Sequence, residues 1–150
     1  MLDTITLPLS DQVFTHVSED TGINTVFAVT RIREHCDRTL AKLFLVALEP
    51  HAAKMTVMYR GIELPRLERA TRTEHYKPLL YLDMPEGTQL LADGSHTYVA
   101  RYIKGHRYAL AYIVPERIWR DFVVTDFPTF DMTAEELLAT TSGLPARKIG

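Results

Sequence analysis

Five consecutive residues, Asp93-Gly94-Ser95-His96-Thr97, carry most of the chemical information in this chain. They follow an apolar run and open a second apolar segment that ends at Gly105. This order predicts a strand, a tight Asp-Gly turn and a helix. The first turn of a helix presents backbone N–H groups without partners, and the helix dipole adds partial positive charge there. An anion such as a phosphate group is therefore expected to bind at this turn.

His96 and Asp93 are the candidate catalytic residues of this turn. A histidine near a phosphate can donate a hydrogen bond or act as a general acid, because its pKa lies near neutrality. As an alternative, His96 packs under the turn or caps the helix. Asp93 is either a ligand-binding carboxylate or a turn residue that bonds to its own backbone.

Gly94, Ser95 and Thr97 are the candidate phosphate-binding residues next to them. Gly94 permits a backbone angle, or a close approach of the ligand, that a side chain would block. The hydroxyl groups of Ser95 and Thr97 either donate to phosphate or cap the helix.

A second basic feature is the repeat of arginine every three residues at Arg66, Arg69 and Arg72. On a helix these arginines would form a ridge that can meet a nucleic-acid backbone, or an ordinary solvated face. Candidate general bases lie nearby, and their spacing does not choose among them: Glu63, Glu68 and Glu74.

Composition and charge limit the protein class. The chain has 150 residues, of which 46% are hydrophobic and 24% charged, as in one soluble globular domain. Net charge is −2, but residues 31–120 hold 15 Lys and Arg against 10 Asp and Glu. An excess of basic residues in the middle of a nearly neutral chain indicates a phosphate-bearing ligand more than a protein that coats nucleic acid. An ordinary mixed surface is the alternative, because it has the same composition.

Several classes are disfavoured by what the sequence lacks. Cys36 is the single cysteine, so an internal disulfide and a cysteine zinc site are excluded. Neither a paired His-Glu-x-x-His motif nor a nucleotide-binding P-loop is present. Without a long apolar run or a signal-like start, the predicted location is the cytoplasm, with no membrane partner.

The elements that would position the turn follow from periodicity, glycine and proline. They are strands at 5–9, 25–29, 55–59, 79–82, 89–92 and 108–114, a helical turn at 11–17, helices at 34–48, 95–104 and 115–123, and a helix N-terminus at 133–136. This intermingling predicts an α+β fold, with a small mixed sheet and flanking helices. We expect one domain over residues 1–143 and a flexible tail at 144–150.

Over residues 76–115, the order strand, Asp93-Gly94-Ser95-His96, helix, Gly105, strand resembles the ParB/sulfiredoxin-like superfamily. In that family a similar Gly-x-His motif opens a helix and grips nucleotide phosphates. Ser95 stands where sulfiredoxin has its cysteine, so sulfinic acid reduction is not expected. Thr97 replaces an arginine of the family motif. Arg101, one helical turn later, is the candidate to reach the same phosphate, with a solvated surface role as the alternative.

The resemblance implies a nucleotide of the ATP or CTP type as ligand, with Mg²⁺ spanning its phosphates. It implies phosphoryl transfer or phosphate-ester hydrolysis, in a nucleotide-dependent phosphotransferase, nucleotidase or nuclease. The alternative is a non-catalytic module on the same fold that binds nucleic acid or a protein. The loss of the arginine favours the module, whereas the retained Asp-Gly-x-His favours the enzyme.

Overall fold

The structure is a computed structural model that describes residues 11–18 and 21–124. In chain order its elements are β1 (Phe14–Val17), β2 (Asn24–Phe27), α1 (Val29–Arg38), β3 (Leu43–Ala47), α2 (Pro50–Tyr59), α3 (Leu64–Arg72), β4 (Leu79–Asp83), β5 (Gln89–Asp93), α4 (Ser95–Ile103), β6 (Tyr108–Val114), α5 (Glu116–Trp119) and a 3₁₀ turn (Arg120–Phe122). Strands and helices are intermingled, which confirms the predicted mixed α+β class with a small sheet and flanking helices.

The chain divides into two compact units, and the first joins residues up to Glu34 with residues from Arg117 onward. In it β1 and β2 form an antiparallel hairpin. The ring of Phe27 is fully buried and meets Trp119 edge to face, with 5.3 Å between ring centroids. An antiparallel β-bridge between Phe27 and Val123 connects the N-terminal stretch of this unit to its C-terminal stretch.

The second unit, His35–Glu116, contains a four-stranded sheet in the order β3-β6-β4-β5. β6 runs antiparallel to β3 and parallel to β4, and β4 and β5 form an antiparallel hairpin. The parallel pair requires a crossover, which β5 and α4 supply between β4 and β6. The end of β5, where the predicted site begins, therefore lies on an edge strand of the sheet, next to β4.

Helices α2 and α4 cover one face of this sheet. The buried residues between them and the strands form one cluster: Leu48, Ala53, Leu79, Tyr98, Ala109 and Ala111. The hydroxyl of Tyr98 is satisfied inside this layer, because it accepts the Glu49 N–H at 2.9 Å. α3 lies against α4.

Two predicted elements have the wrong type. Residues 11–17, predicted as a helical turn, contain β1, because pairing with β2 uses their β-branched and aromatic residues. Residues 55–59, predicted as a strand, are the last turns of α2. Pro50 opens this helix at its first turn, where proline is tolerated.

The predicted helix over 34–48 is also wrong, because it merges the end of α1 with β3. Leu40, in the connection, has a φ of 52°, a left-handed conformation that no helix continues through. Residues 43–47 then pair along their whole length with β6. The predicted strand at 25–29 is correct as far as Phe27, after which α1 begins.

The segment around the candidate site is the best predicted part. The strands at 79–82, 89–92 and 108–114 and the helix at 95–104 are confirmed as β4, β5, β6 and α4. The helix expected at 115–123 is shorter, with α5 followed by the 3₁₀ turn. The strand at 5–9, the helix start at 133–136 and the tail at 144–150 lie outside the described residues, so the predicted domain limits stay predictions. Within the described ranges, no helix is long and apolar enough to cross a bilayer.

Candidate functional site

Gly94 makes the turn from β5 into α4, and its conformation requires glycine. It is the N-cap of α4, with φ 106° and ψ 19°. A Cβ at this position would lie 2.8 Å from Cδ2 of Leu79, which is fully buried. One residue earlier the β4–β5 register shifts, so that Leu80 faces Asp93 while Tyr81 faces Leu91. Such a bulge bends the strand and re-aims its end.

The first three N–H groups of α4 have no acceptor within the helix. Tyr98 N–H bonds to the Gly94 carbonyl at 2.8 Å and so begins the helical ladder. The N–H groups of Ser95, His96 and Thr97 precede it and have no helical carbonyl within reach. Neither hydroxyl acts as the N-cap, because Gly94 occupies that position without a side chain. The capping alternative for Ser95 and Thr97 is therefore wrong.

A second helix begins at the same place. The backbone N–H of Glu63, the N-cap of α3, donates to Nε2 of His96 at 2.9 Å. Glu63 has no side-chain cap bond, and Pro65 in the first turn has no N–H. The N–H groups of Leu64 and Arg66 are thus left at the end of α3.

The opposite ends of α3 and α4 also meet. Nζ of Lys104, just after α4, donates to the carbonyl of Thr73, just after α3, at 2.9 Å. With Glu63 against His96 at one end and Thr73 against Lys104 at the other, the two helices are parallel neighbours. Their N-terminal dipole ends, each equivalent to roughly half a positive charge, lie side by side.

His96 is neutral in this setting. Burial lowers the pKa of its ring, and the positive charge of Arg66 lowers it further, while Glu63 and Asp93 act in the opposite direction. A ring whose Nε2 accepts a hydrogen bond holds its proton on Nδ1. His96 therefore has one nitrogen occupied by Glu63 and one N–H left to donate. General-base chemistry at Nε2 would first require that this bond be broken.

Arg66 supplies the positive charge of the candidate site. It lies one turn into α3, three residues after Glu63, and its charge acts on the His96 ring. Its Nη1 is buried and makes no hydrogen bond within the described part of the chain. A buried guanidinium nitrogen without an acceptor costs free energy, which an anionic ligand would recover.

Arg101, predicted to reach the phosphate, is engaged at the other end of α4. Its Nε donates to Nδ1 of His106 at 3.0 Å, and its guanidinium lies 5.1 Å from the ring centroid of Tyr76. Lys104 packs on the same ring and donates to its hydroxyl at 2.8 Å. Arg101 thus secures the C-terminal ends of α3 and α4.

The three arginines of the repeat lie on one helix, α3, but their surroundings differ. Arg66 is half-buried beside α4, whereas Arg69 and Arg72 are exposed. Arg72 lies 3.7 Å from the carboxylate of Glu68, one turn earlier. Of the three arginines, only Arg69 and Arg72 are thus exposed to a nucleic-acid backbone, and Arg72 is paired with Glu68.

The described ranges contain no preformed metal site, because no group of three or more His, Cys, Asp or Glu side chains there could bind a metal ion. Mg²⁺ often binds through substrate phosphates with few protein ligands. The predicted Mg²⁺ therefore stays a prediction that depends on a nucleotide.

One contact that builds this site is not apparent from the sequence: the hydrogen bond from Glu63 to His96. Glu63 is a candidate general base for its carboxylate, yet its backbone N–H makes the contact. The signal that could have found α3 was Pro65 in the first turn of an Arg-rich segment, which marks a helix start.

Comparisons with known proteins identify no relative: neither a protein-family model, nor a curated protein, nor a solved structure matches this chain. The likeness to ParB/sulfiredoxin-like proteins therefore depends on the Asp93–His96 motif and its flanking elements, and stays a prediction.

Proposed function

We propose that this protein binds a phosphate-bearing small molecule, a nucleotide of the ATP or CTP type, at the paired N-terminal ends of α3 and α4. The observation that carries the proposal is the buried Nη1 of Arg66, which has no acceptor among the described residues. Phosphate oxygens are strong acceptors and match the guanidinium geometry.

The surrounding groups support the same ligand. The N–H groups of Ser95, His96 and Thr97 and those at the start of α3 are donors without helical partners. Two parallel dipoles favour negative charge at this end. Neutral His96 adds its Nδ1–H as a further donor.

The geometry favours binding over general-base catalysis by His96, because Nε2 is occupied by the Glu63 N–H. Phosphoryl transfer depends mainly on positioning and charge stabilisation, which helix ends and an arginine can provide. Asp93, at the end of β5, is the carboxylate closest in sequence to this turn. Transfer or hydrolysis is thus the reaction class that we propose for the bound phosphate, with a non-catalytic module as the alternative.

The test is a binding panel of inorganic phosphate, ATP, CTP, ADP and GTP, with and without Mg²⁺, read by calorimetry and thermal shift. A site filled to 100 times its dissociation constant adds about 2.7 kcal/mol to the free energy of unfolding. We expect Arg66→Gln to weaken binding at least tenfold, as the loss of a charge-assisted hydrogen bond does. Arg69→Gln is the matched control, since it removes an exposed arginine from the same helix.

Two results would contradict the proposal: no binding of any phosphate compound, or equal losses in Arg66→Gln and Arg69→Gln. Equal losses accompanied by binding of an oligonucleotide would instead favour the nucleic-acid module. Release of inorganic phosphate from a bound nucleotide, abolished by Asp93→Asn, separates the enzyme from the non-catalytic module.

A further inference from the structure

Helices α3 and α4 are joined at their N-terminal ends through one titratable group. The Glu63 N–H donates to Nε2 of His96 at 2.9 Å, across 33 residues of chain. Neutral imidazole offers one acceptor nitrogen, and imidazolium offers none. This contact can therefore exist in one protonation state of the ring and not in the other.

We propose that His96 is a pH-sensitive link between α3 and α4, in which protonation of the ring releases the N-terminal end of α3. The proton comes from solvent and adds to Nε2. The hydrogen bond from Glu63 then breaks, and two N–H donors face each other where a donor and an acceptor were paired. His96 acts here as a positioning residue, and the link needs no ligand.

Burial first, and then the charges around His96, determine how readily its ring is protonated. From α3 the ring faces Arg66, which disfavours protonation, and Glu63, which favours it; from the end of β5 it faces Asp93, which also favours it. Arg60, the residue that follows α2, donates from Nη2 to the Leu91 carbonyl. Burial lowers the pKa of His96 from its ordinary value, so that release requires a pH below about 6.5.

The far ends of the helices stay joined when the link opens. Lys104 donates to the Thr73 carbonyl and to the Tyr76 hydroxyl, and the Tyr76 hydroxyl donates to the Ala70 carbonyl at 2.9 Å. None of these contacts requires a histidine acceptor. Protonation of His96 therefore frees the start of α3 while its C-terminal end remains held against α4.

Two measurements on the ligand-free protein test the link. Nitrogen-15 NMR of the histidine rings reports the tautomer, and we expect His96 to carry its proton on Nδ1 above the transition. Hydrogen exchange reports the link itself: protection of the Glu63 amide is expected to fall about fivefold as the ring is protonated, the factor for one net hydrogen bond. The amides at the C-terminal end of α3 serve as the internal reference.

His96→Gln keeps an acceptor oxygen at similar reach without a titrating ring, so protection of the Glu63 amide should persist at low pH. His51→Gln changes an exposed histidine on α2 and should retain the wild-type pH dependence. An Nε2–H tautomer, or a pH dependence that survives in His96→Gln, would overturn the proposal. Because no phosphate is present, a negative binding panel leaves this test unaffected.

Discussion

Replacing Gly94 with alanine tests whether the turn that opens α4 is built on the absence of a side chain. Gly94 has φ 106°, and a left-handed conformation costs an L-residue roughly 1–2 kcal/mol. The new Cβ would also lie 2.8 Å from Cδ2 and 3.5 Å from Cα of Leu79. Leu79 is fully buried, so relief of this overlap would disturb a packed core, at a cost of about 1–3 kcal/mol.

Alanine also reduces the freedom of the unfolded chain, which offsets about 0.4–1 kcal/mol of these costs. We expect Gly94→Ala to lower the free energy of unfolding by about 2–4 kcal/mol. Gly87→Ala is the matched control: φ there is 89°, and nothing lies within 4 Å of the added Cβ. Its cost should be about 1 kcal/mol, from the backbone alone.

The assay is urea unfolding followed by far-ultraviolet circular dichroism, with hydrogen exchange of the β4 and β6 amides to report the unit that contains the turn. Trp119 belongs to the other unit, so its fluorescence gives an independent reference. In the background of Leu79→Ala, which removes the clashing methyl group, the cost of Gly94→Ala should fall toward that of Gly87→Ala. Equal costs for the two glycine variants, or an unchanged cost in the Leu79→Ala background, would refute the steric argument.

Three further predictions concern hydroxyl and imidazole groups. Tyr98→Phe removes the acceptor of the Glu49 N–H and should lower the free energy of unfolding by about 1 kcal/mol in urea titrations; an unchanged midpoint would show that water replaces it. Burial, and to a smaller extent Tyr98, raises the pKa of Tyr81 to about 12. Because the unfolded chain loses this proton at a lower pH than the folded protein does, the free energy of unfolding should fall as pH rises from about 10. Tyr81→Phe should flatten that slope and remove one phenolate that forms near pH 12 in an ultraviolet titration. The lowered pKa of His96 means that the unfolded state binds its proton more readily, so stability should decline as pH drops below about 6.5, and His96→Gln should lessen this decline.

The segment from β4 to β6 could be predicted because its signals are local. Glycine and proline separate its elements: Gly87 makes the β4–β5 turn, Gly94 turns β5 into α4, Gly105 ends α4, and Pro115 follows β6. Each boundary needs a conformation that few residues adopt, so the residue type determines the position of the break. Tertiary contacts then agree with the local preference.

The segments whose predicted structure is wrong have a periodicity that fits both helix and strand. Apolar residues over 34–48 fit a helical spacing, yet residues 43–47 form an unbroken apolar run that fits a strand equally well and that pairs with β6. In α2, the run at 55–59 is rich in strand-forming residues, and the helix is set instead by Pro50 and by the packing of Ala53 against the sheet. Short apolar runs do not choose between strand and helix, so distant pairing decides.

The two halves of the candidate site differ in the same way, since one depends on local signals and the other on a distant contact. Its α4 half follows from neighbouring residues, whereas its α3 half depends on the contact between Glu63 and His96 across 33 residues. That contact also reassigns the roles of the charged residues. Because His96 holds the start of α3, Arg66 rather than Arg101 supplies positive charge at the helix N-termini, and Arg101 is left to secure the opposite end with His106. A cation at the start of α4 can thus come from a second helix, α3, provided that His96 stays neutral.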